Sequence, residues 1–151
     1  PVKVAGAYKQ PDGGTVVPEG VQCLGELSRG ALAREFARAA IYALPARYEP
    51  FGLPVLEAAL SGCALVLGDI PSLREIWGPA AMYVAPDDHE ALHAALQGLI
   101  EDPAERTRLA QAALARARDF SPARKCDGYL AAYARLAPRF APARTEELAC
   151  A

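Results

Sequence analysis

The sequence predicts an open α/β fold, a parallel sheet with helices packed on both faces, and three observations carry that reading. Short apolar runs of strand length, such as Ile41 to Leu44 and Ala64 to Leu67, alternate with segments whose apolar residues recur at helical spacing. These runs are continuous rather than alternating, as suits parallel strands covered on both sides. At 151 residues, 52% of them hydrophobic, the chain is long enough for one such domain and too short for two comfortable ones.

Taken in order, Val2 to Ala7 reads as a strand, followed by turn chemistry at Gln10-Pro11-Asp12-Gly13-Gly14, and Val21 to Leu24 as a second short strand. Ser28 caps the next helix, in which Leu32, Phe36 and Ala39/Ala40 share a face. Ile41 to Leu44 is a buried strand stopped by Pro45. A loop over Ala46 to Phe51 leads to a helix over Val55 to Leu60 that Gly62 ends, and then to the strand Ala64 to Leu67. A second loop, Gly68 to Ser72, precedes a helical segment over Leu73 to Trp77 and a strand over Met82 to Val84. Beyond Pro86 only helices follow: His89 to Glu101, Ala104 to Arg118, and a last one capped by Ser121 that carries Tyr129, Leu130, Tyr133 and Leu136. The domain is expected over 1–137, with a flexible Ala/Pro/Glu-rich tail over 138–151.

Composition excludes several classes of partner. Sixteen basic and 18 acidic residues leave a formal charge of −2, so no net field attracts nucleic acid or an anionic membrane surface. No apolar run reaches the roughly 18 residues of a transmembrane helix. The four cysteines, 23, 63, 126 and 150, lie far apart and read as reduced, mostly buried thiols of a cytoplasmic protein. The chain has no initiator Met and no signal peptide, and begins on a strand, so it is expected to be part of a longer protein.

The chemistry concentrates in Arg47-Tyr48-Glu49-Pro50-Phe51-Gly52-Leu53-Pro54-Val55-Leu56-Glu57. This stretch joins a strand to a helix, which places the amides of Gly52 and Leu53 at the helix N-terminus, where unpaired N–H groups and the helix dipole favour a phosphate. Gly52 has no Cβ to block a ligand. Glu49 before the helix and Glu57 inside it flank those amides, and carboxylates are good acceptors for sugar hydroxyls. Ligands of open α/β sheets bind beyond the carboxyl ends of the strands, as this loop does.

Glu49 and Glu57 reproduce the Glu-x7-Glu motif of the retaining GT-B glycosyltransferases, and the Pro-Phe-Gly-Leu-Pro-Val-Leu between them is similar to that family's usual filling. The likeness continues through Glu57-Ala58-Ala59-Leu60-Ser61-Gly62-Cys63-Ala64-Leu65-Val66, Ile70-Pro71-Ser72-Leu73-Arg74-Glu75-Ile76 and Val84-Ala85-Pro86-Asp87-Asp88. Over roughly residues 1 to 136 the chain resembles the C-terminal, donor-binding domain of the glycogen-synthase-like branch, the group 1 glycosyltransferases of family 4. The resemblance implies a Rossmann-like parallel sheet, one half of a GT-B fold, whose first strand-helix unit would precede Val2. It implies that Glu49 contacts hydroxyls of the donor sugar as the catalytic-site carboxylate. The amides of Phe51, Gly52 and Leu53 would hold the sugar and diphosphate, Glu57 the ribose hydroxyls, and the backbone over Leu24, Gly25, Glu26 and Leu27 the base.

The implied activity is transfer of a hexosyl group from a nucleotide sugar to a glycan or lipid-linked acceptor, with retained configuration and no metal or other cofactor. An N-terminal domain would bind the acceptor, and the full-length protein would be cytoplasmic or peripheral at the inner membrane face. That domain, and an Arg and a Lys upstream of Val2 that neutralise the diphosphate, fall outside this sequence, so the chain alone is expected to bind donor weakly and not to turn over. An apolar patch on the last helix would favour self-association. Two rival readings stand beside this one: a non-catalytic nucleotide-sugar-binding or interaction module, and a zinc peptidase using His89-Glu90-Ala91-Leu92-His93, with Glu101 or Glu105 as third ligand.

Overall fold

A computed structural model describes residues 1–7, 14 and 19–137. The turn read over 10–13 and the tail 138–151, Cys150 included, lie outside the described residues. The strands are β1 (Lys3–Ala5), β2 (Gln22–Gly25), β3 (Ile41–Leu44), β4 (Ala64–Gly68) and β5 (Met82–Val84). The helices are α1 (Arg29–Phe36), α2 (Leu53–Leu60), α3 (Pro71–Trp77), α4 (His89–Glu101), α5 (Pro103–Ala117) and α6 (Pro122–Leu136).

Every described strand pair is parallel, and the strands form two hydrogen-bonded sets rather than one continuous sheet. β1 pairs with β2, aligning Lys3 with Gln22. β3, β4 and β5 form the second set with β4 central, aligning Leu44 with Leu67 and Leu67 with Tyr83. α1, through Phe36, carries the first set's chain into the core of the second.

β4 explains the layering. All five of its residues are buried, and its side chains alternate between two apolar clusters. Leu65 and Leu67 join Val55, Ala58 and Ala59 of α2, Leu73 and Trp77 of α3, and Ala113 and Ala117 of α5. On the other face, Ala64 and Val66 meet Val84, Leu99 of α4 and Leu109 of α5. A strand buried on both sides must be apolar throughout, which is why its sequence shows no alternation. Each of the fully buried Leu side chains contributes about 1.5–3 kcal/mol relative to exposure, so this sandwich is what fixes the ends of β3 and β4 in space.

Helix starts follow cap chemistry. Ser28 Oγ accepts from Ala31 N–H and Ser121 Oγ from Arg124 N–H, each at 3.3 Å. Asp88 and Asp102 cap α4 and α5 in the same way, accepting from Ala91 N–H at 2.8 Å and from Ala104 and Glu105 N–H at 3.0 Å. α2 and α3 begin two residues earlier than expected, because Pro54 and Pro71 sit in the first turn, where a missing N–H costs nothing. α1 stops at Phe36, leaving Ala39 and Ala40 to lead into β3.

One expectation needs correction. The cysteines are not uniformly buried: Cys63 is, with Sγ donating to Ala39 O at 3.3 Å and its thiol pKa pushed up by burial, whereas Cys126 is exposed. α6 buries no residue, so the apolar patch expected on the last helix lies exposed; Tyr133 is 61% exposed and its ring stacks on Tyr129 at 6.3 Å. No helix among the described residues is long and apolar enough to cross a membrane.

Candidate functional site

Beyond β3 the chain turns sharply, with Ala46 N–H donating to Leu44 O at 2.8 Å. The loop that follows is pinned at three points. Arg47 donates from Nε to Asp87 Oδ1 at 2.7 Å, tying the loop to the β5–α4 connection. Ser72, in the first turn of α3, donates from Oγ to the main-chain oxygen of Glu49 at 2.7 Å. The Phe51 ring meets Phe120 edge to face at 5.4 Å, and Phe120 in turn lies against Trp77. The backbone of Glu49 and Phe51 is therefore held from outside the loop.

Gly52 is the N-cap of α2 and adopts the left-handed conformation, φ 81° and ψ 66°. A Cβ there would lie 2.7 Å from Val55 Cγ2 and 3.5 Å from Glu49 Cγ, so the position is restricted to glycine by conformation and by space.

Having no side chain, Gly52 cannot cap its own helix, and Glu49 does so instead. Glu49 Oε1 accepts from Gly52 N–H at 2.8 Å and from Phe51 N–H at 3.3 Å. Two of the amides that the sequence reading assigned to a ligand are thus occupied by the protein's own carboxylate. Leu53 N–H has no partner among the described residues, and its side chain is 66% exposed. The arrangement is a helix N-terminus capped by a side-chain carboxylate from the preceding loop.

Glu57 projects from α2 into solvent. Neither it nor Glu49 is ion-paired among the described residues. Their relation is read from Tyr42, a half-buried residue of β3 whose ring packs edge to face on Phe36 at 5.6 Å. Burial, then the negative charges of Glu49, Cys63 and Glu57, push its hydroxyl pKa up to about 12. Both carboxylates thus lie within electrostatic reach of one phenol. Sequence reasoning missed Tyr42; the available signal was a polar tip in an otherwise apolar strand leading into the Glu-x7-Glu segment.

The remaining assigned residues are placed as follows. Leu24 and Gly25 end β2, and Glu26 and Leu27 follow at its carboxyl end, in the other strand set. Arg47 is committed to Asp87, and Arg74 is held by Asp69, with Nη2 donating to Oδ2 at 2.7 Å. His89 and His93 are both exposed on α4, and no group of three metal-ligating side chains converges among the described residues. Two surface depressions lie elsewhere. One of about 270 Å³, lined by Ala40, Gly62, Arg106 and Gln111, opens beside the amino ends of β3 and β4, the end of an open α/β sheet at which ligands do not ordinarily bind. The other, about 330 Å³, lies beside Trp77 and Arg116.

Comparison with known proteins converges on one group. Residues 15–116 match the family described as Glycosyl transferases group 1. A glycogen synthase of Mycobacterium tuberculosis is 41% identical over 92 residues, 60% of this chain and 22% of that protein. The O-antigen chain mannosyltransferase B of Escherichia coli is 33% identical over 101 residues, 67% of this chain and 26% of that protein. Among solved structures, sucrose-phosphate synthase from Thermosynechococcus elongatus superposes with a TM-score of 0.69 at 27% identity, over 77% of this chain and 30% of that one. The chain therefore spans about a quarter of the length of the relatives it matches.

Proposed function

The chain belongs to the group 1 glycosyl transferases, and from that premise we propose that it carries the nucleotide-sugar donor site of a retaining enzyme that moves a hexosyl group onto a glycan or lipid-linked acceptor. One observation supports the reading: the N-terminus of α2 gathers three main-chain donors, two held by the Glu49 carboxylate and Leu53 N–H without a partner among the described residues, with a second carboxylate, Glu57, one turn along the same helix and neither acid ion-paired among those residues. Main-chain N–H groups at a helix start suit a diphosphate. Carboxylates suit the vicinal hydroxyls of a ribose and of a hexose, because each oxygen accepts from neutral donors.

In this assignment Leu53 N–H and the amides of Phe51 and Gly52 face the phosphates, Glu57 accepts from the ribose, and Glu49 accepts from the transferred sugar. Leu24 to Leu27 lie along the base. Retention follows a front-face course in which the bond from the anomeric carbon to the phosphate oxygen breaks as the acceptor oxygen approaches from the same side. The leaving phosphate takes the acceptor's proton. The helix N-terminus contributes by stabilising the charge that grows on the departing phosphate. Two uncompensated carboxylates work against that charge, so cations from elsewhere in the full protein complete the site, and the chain by itself binds weakly and does not turn over.

Titration with UDP, GDP and ADP by calorimetry tests this directly. One of the three saturates the chain, and Glu57→Ala weakens that binding by about 1–3 kcal/mol, the range for a hydrogen bond to a charged acceptor. Unchanged affinity in a folded Glu57→Ala chain removes Glu57 from the site. Glycosyl transfer by these 151 residues alone overturns the expected inactivity.

A further inference from the structure

Resting on the donor-site reading, we propose that Glu49 discriminates between an intact sugar donor and the sugarless nucleoside diphosphate, by competing with phosphate for the same two amides. The start of α2 is poor in donors. Pro54 has no N–H, which leaves Phe51, Gly52 and Leu53, and Glu49 Oε1 takes the first two at 3.3 and 2.8 Å. A phosphate that is to use them must displace the carboxylate.

The displacement is a side-chain rotation and not a loop movement. Ser72 holds the Glu49 carbonyl at 2.7 Å and the Phe51 ring is seated against Phe120, so the main chain stays in place while the carboxylate swings. Glycine at position 52 holds the left-handed turn in which its N–H meets the carboxylate, a turn that a Cβ, 2.7 Å from Val55 Cγ2, would disturb.

Once displaced, Glu49 needs new donors, because it is half-buried and no ion pair with it exists among the described residues. The hydroxyls of a bound sugar supply neutral donors to the displaced carboxylate: amides pass from carboxylate to phosphate, and the carboxylate passes to the sugar. A sugarless diphosphate offers no such donors. It leaves a displaced carboxylate beside a group carrying additional negative charge. The intact donor is accepted and the spent nucleotide is expelled.

Calorimetry on the wild-type chain and on Glu49→Ala and Glu57→Ala, with UDP, GDP and ADP and with the glucose and mannose conjugates of each, decides the matter. Removing a helix cap that competes with the ligand raises the affinity for the sugarless diphosphate by about three- to tenfold in Glu49→Ala. The same variant binds the conjugate more weakly, and Glu57→Ala weakens both ligands alike. Glu49→Gln keeps an acceptor oxygen for Phe51 and Gly52 and so safeguards folding; it raises diphosphate affinity by a smaller factor in the same direction. If Glu49→Ala or Glu49→Gln leaves diphosphate affinity unchanged or lower while Glu57→Ala weakens both ligands, discrimination by Glu49 is refuted and the donor site stands. Absence of any nucleotide binding by the wild-type chain refutes both.

Discussion

Replacing Gly52 by alanine tests whether the geometry at the start of α2 is built in or incidental, and Gly62→Ala provides its control. Both glycines are left-handed, with φ of 81° and 87°. For an alanine that conformation costs about 1–2 kcal/mol. At Gly62 nothing lies within 4 Å of the added Cβ, so the conformational cost is the whole effect. At Gly52 the Cβ would sit 2.7 Å from Val55 Cγ2, and Val55 is fully buried against β4 and cannot rotate away freely. Overpacking of that kind adds about 1–3 kcal/mol, giving about 2–5 kcal/mol for Gly52→Ala. For a chain of this size each kcal/mol lowers Tm by about 2–4 °C. Urea and thermal denaturation of the two variants side by side read the difference, with Gly52→Ala unfolding clearly before Gly62→Ala. Coincident transitions would mean that Val55 gives way at no cost, and the argument that Gly52 is held tight against the helix would fail. Nucleotide titration of the folded Gly52→Ala chain adds a functional readout, since a displaced Gly52 amide weakens binding even where folding survives.

Two further outcomes follow from contacts around the same loop. Ser72→Ala removes the 2.7 Å hydrogen bond to the Glu49 carbonyl; stability falls by about 0.5–1.5 kcal/mol by denaturant titration, and nucleotide affinity falls with it because the Glu49 backbone is no longer fixed. Tyr42, with its hydroxyl pKa pushed from 10.0 to about 12 by burial and by Glu49, Cys63 and Glu57, binds its proton more tightly in the folded state than in the unfolded one. Its contribution to stability is therefore complete below pH 10 and disappears as pH rises towards 12, a loss absent in Tyr42→Phe; ultraviolet titration of the phenols with parallel melting curves would expose an error of sign or of residue.

The layered fold and the strand-to-helix loop that carries the candidate site were readable in the residues, while strand pairing and the partners of that loop's amides were not, and each difference has a local cause. β5 and α4 fall where the sequence placed them because a short apolar run bounded by proline and glycine, and a helix with a clean apolar stripe, leave no competing register. Which strands pair was beyond reach: β2 and β3 both read as apolar runs, and no short-range feature tells that they belong to different hydrogen-bonded sets. α6 shows the same limit: the stripe of Tyr129, Leu130, Tyr133 and Leu136 gives the helix and its apolar face, while its period is the same whether or not anything in the chain covers it.

The occupancy of the Phe51 and Gly52 amides is the most instructive case. Sequence spacing puts donors at a helix start and a carboxylate three residues before Gly52, but both a ligand-facing and a self-capping Glu49 fit that spacing. The choice between them rests on the torsions of one side chain, which are worth no more than a helix cap of about 0.5–2 kcal/mol. An energy gap that small is what a reversible exchange demands: a cap much stronger would exclude the donor as well as the spent nucleotide, and a cap much weaker would leave the amides open to both. The position that sequence reasoning could not settle is thus the position at which a ligand can change the answer, and the opposite signs expected for diphosphate and sugar conjugate in Glu49→Ala follow from that balance rather than from the strength of any single hydrogen bond.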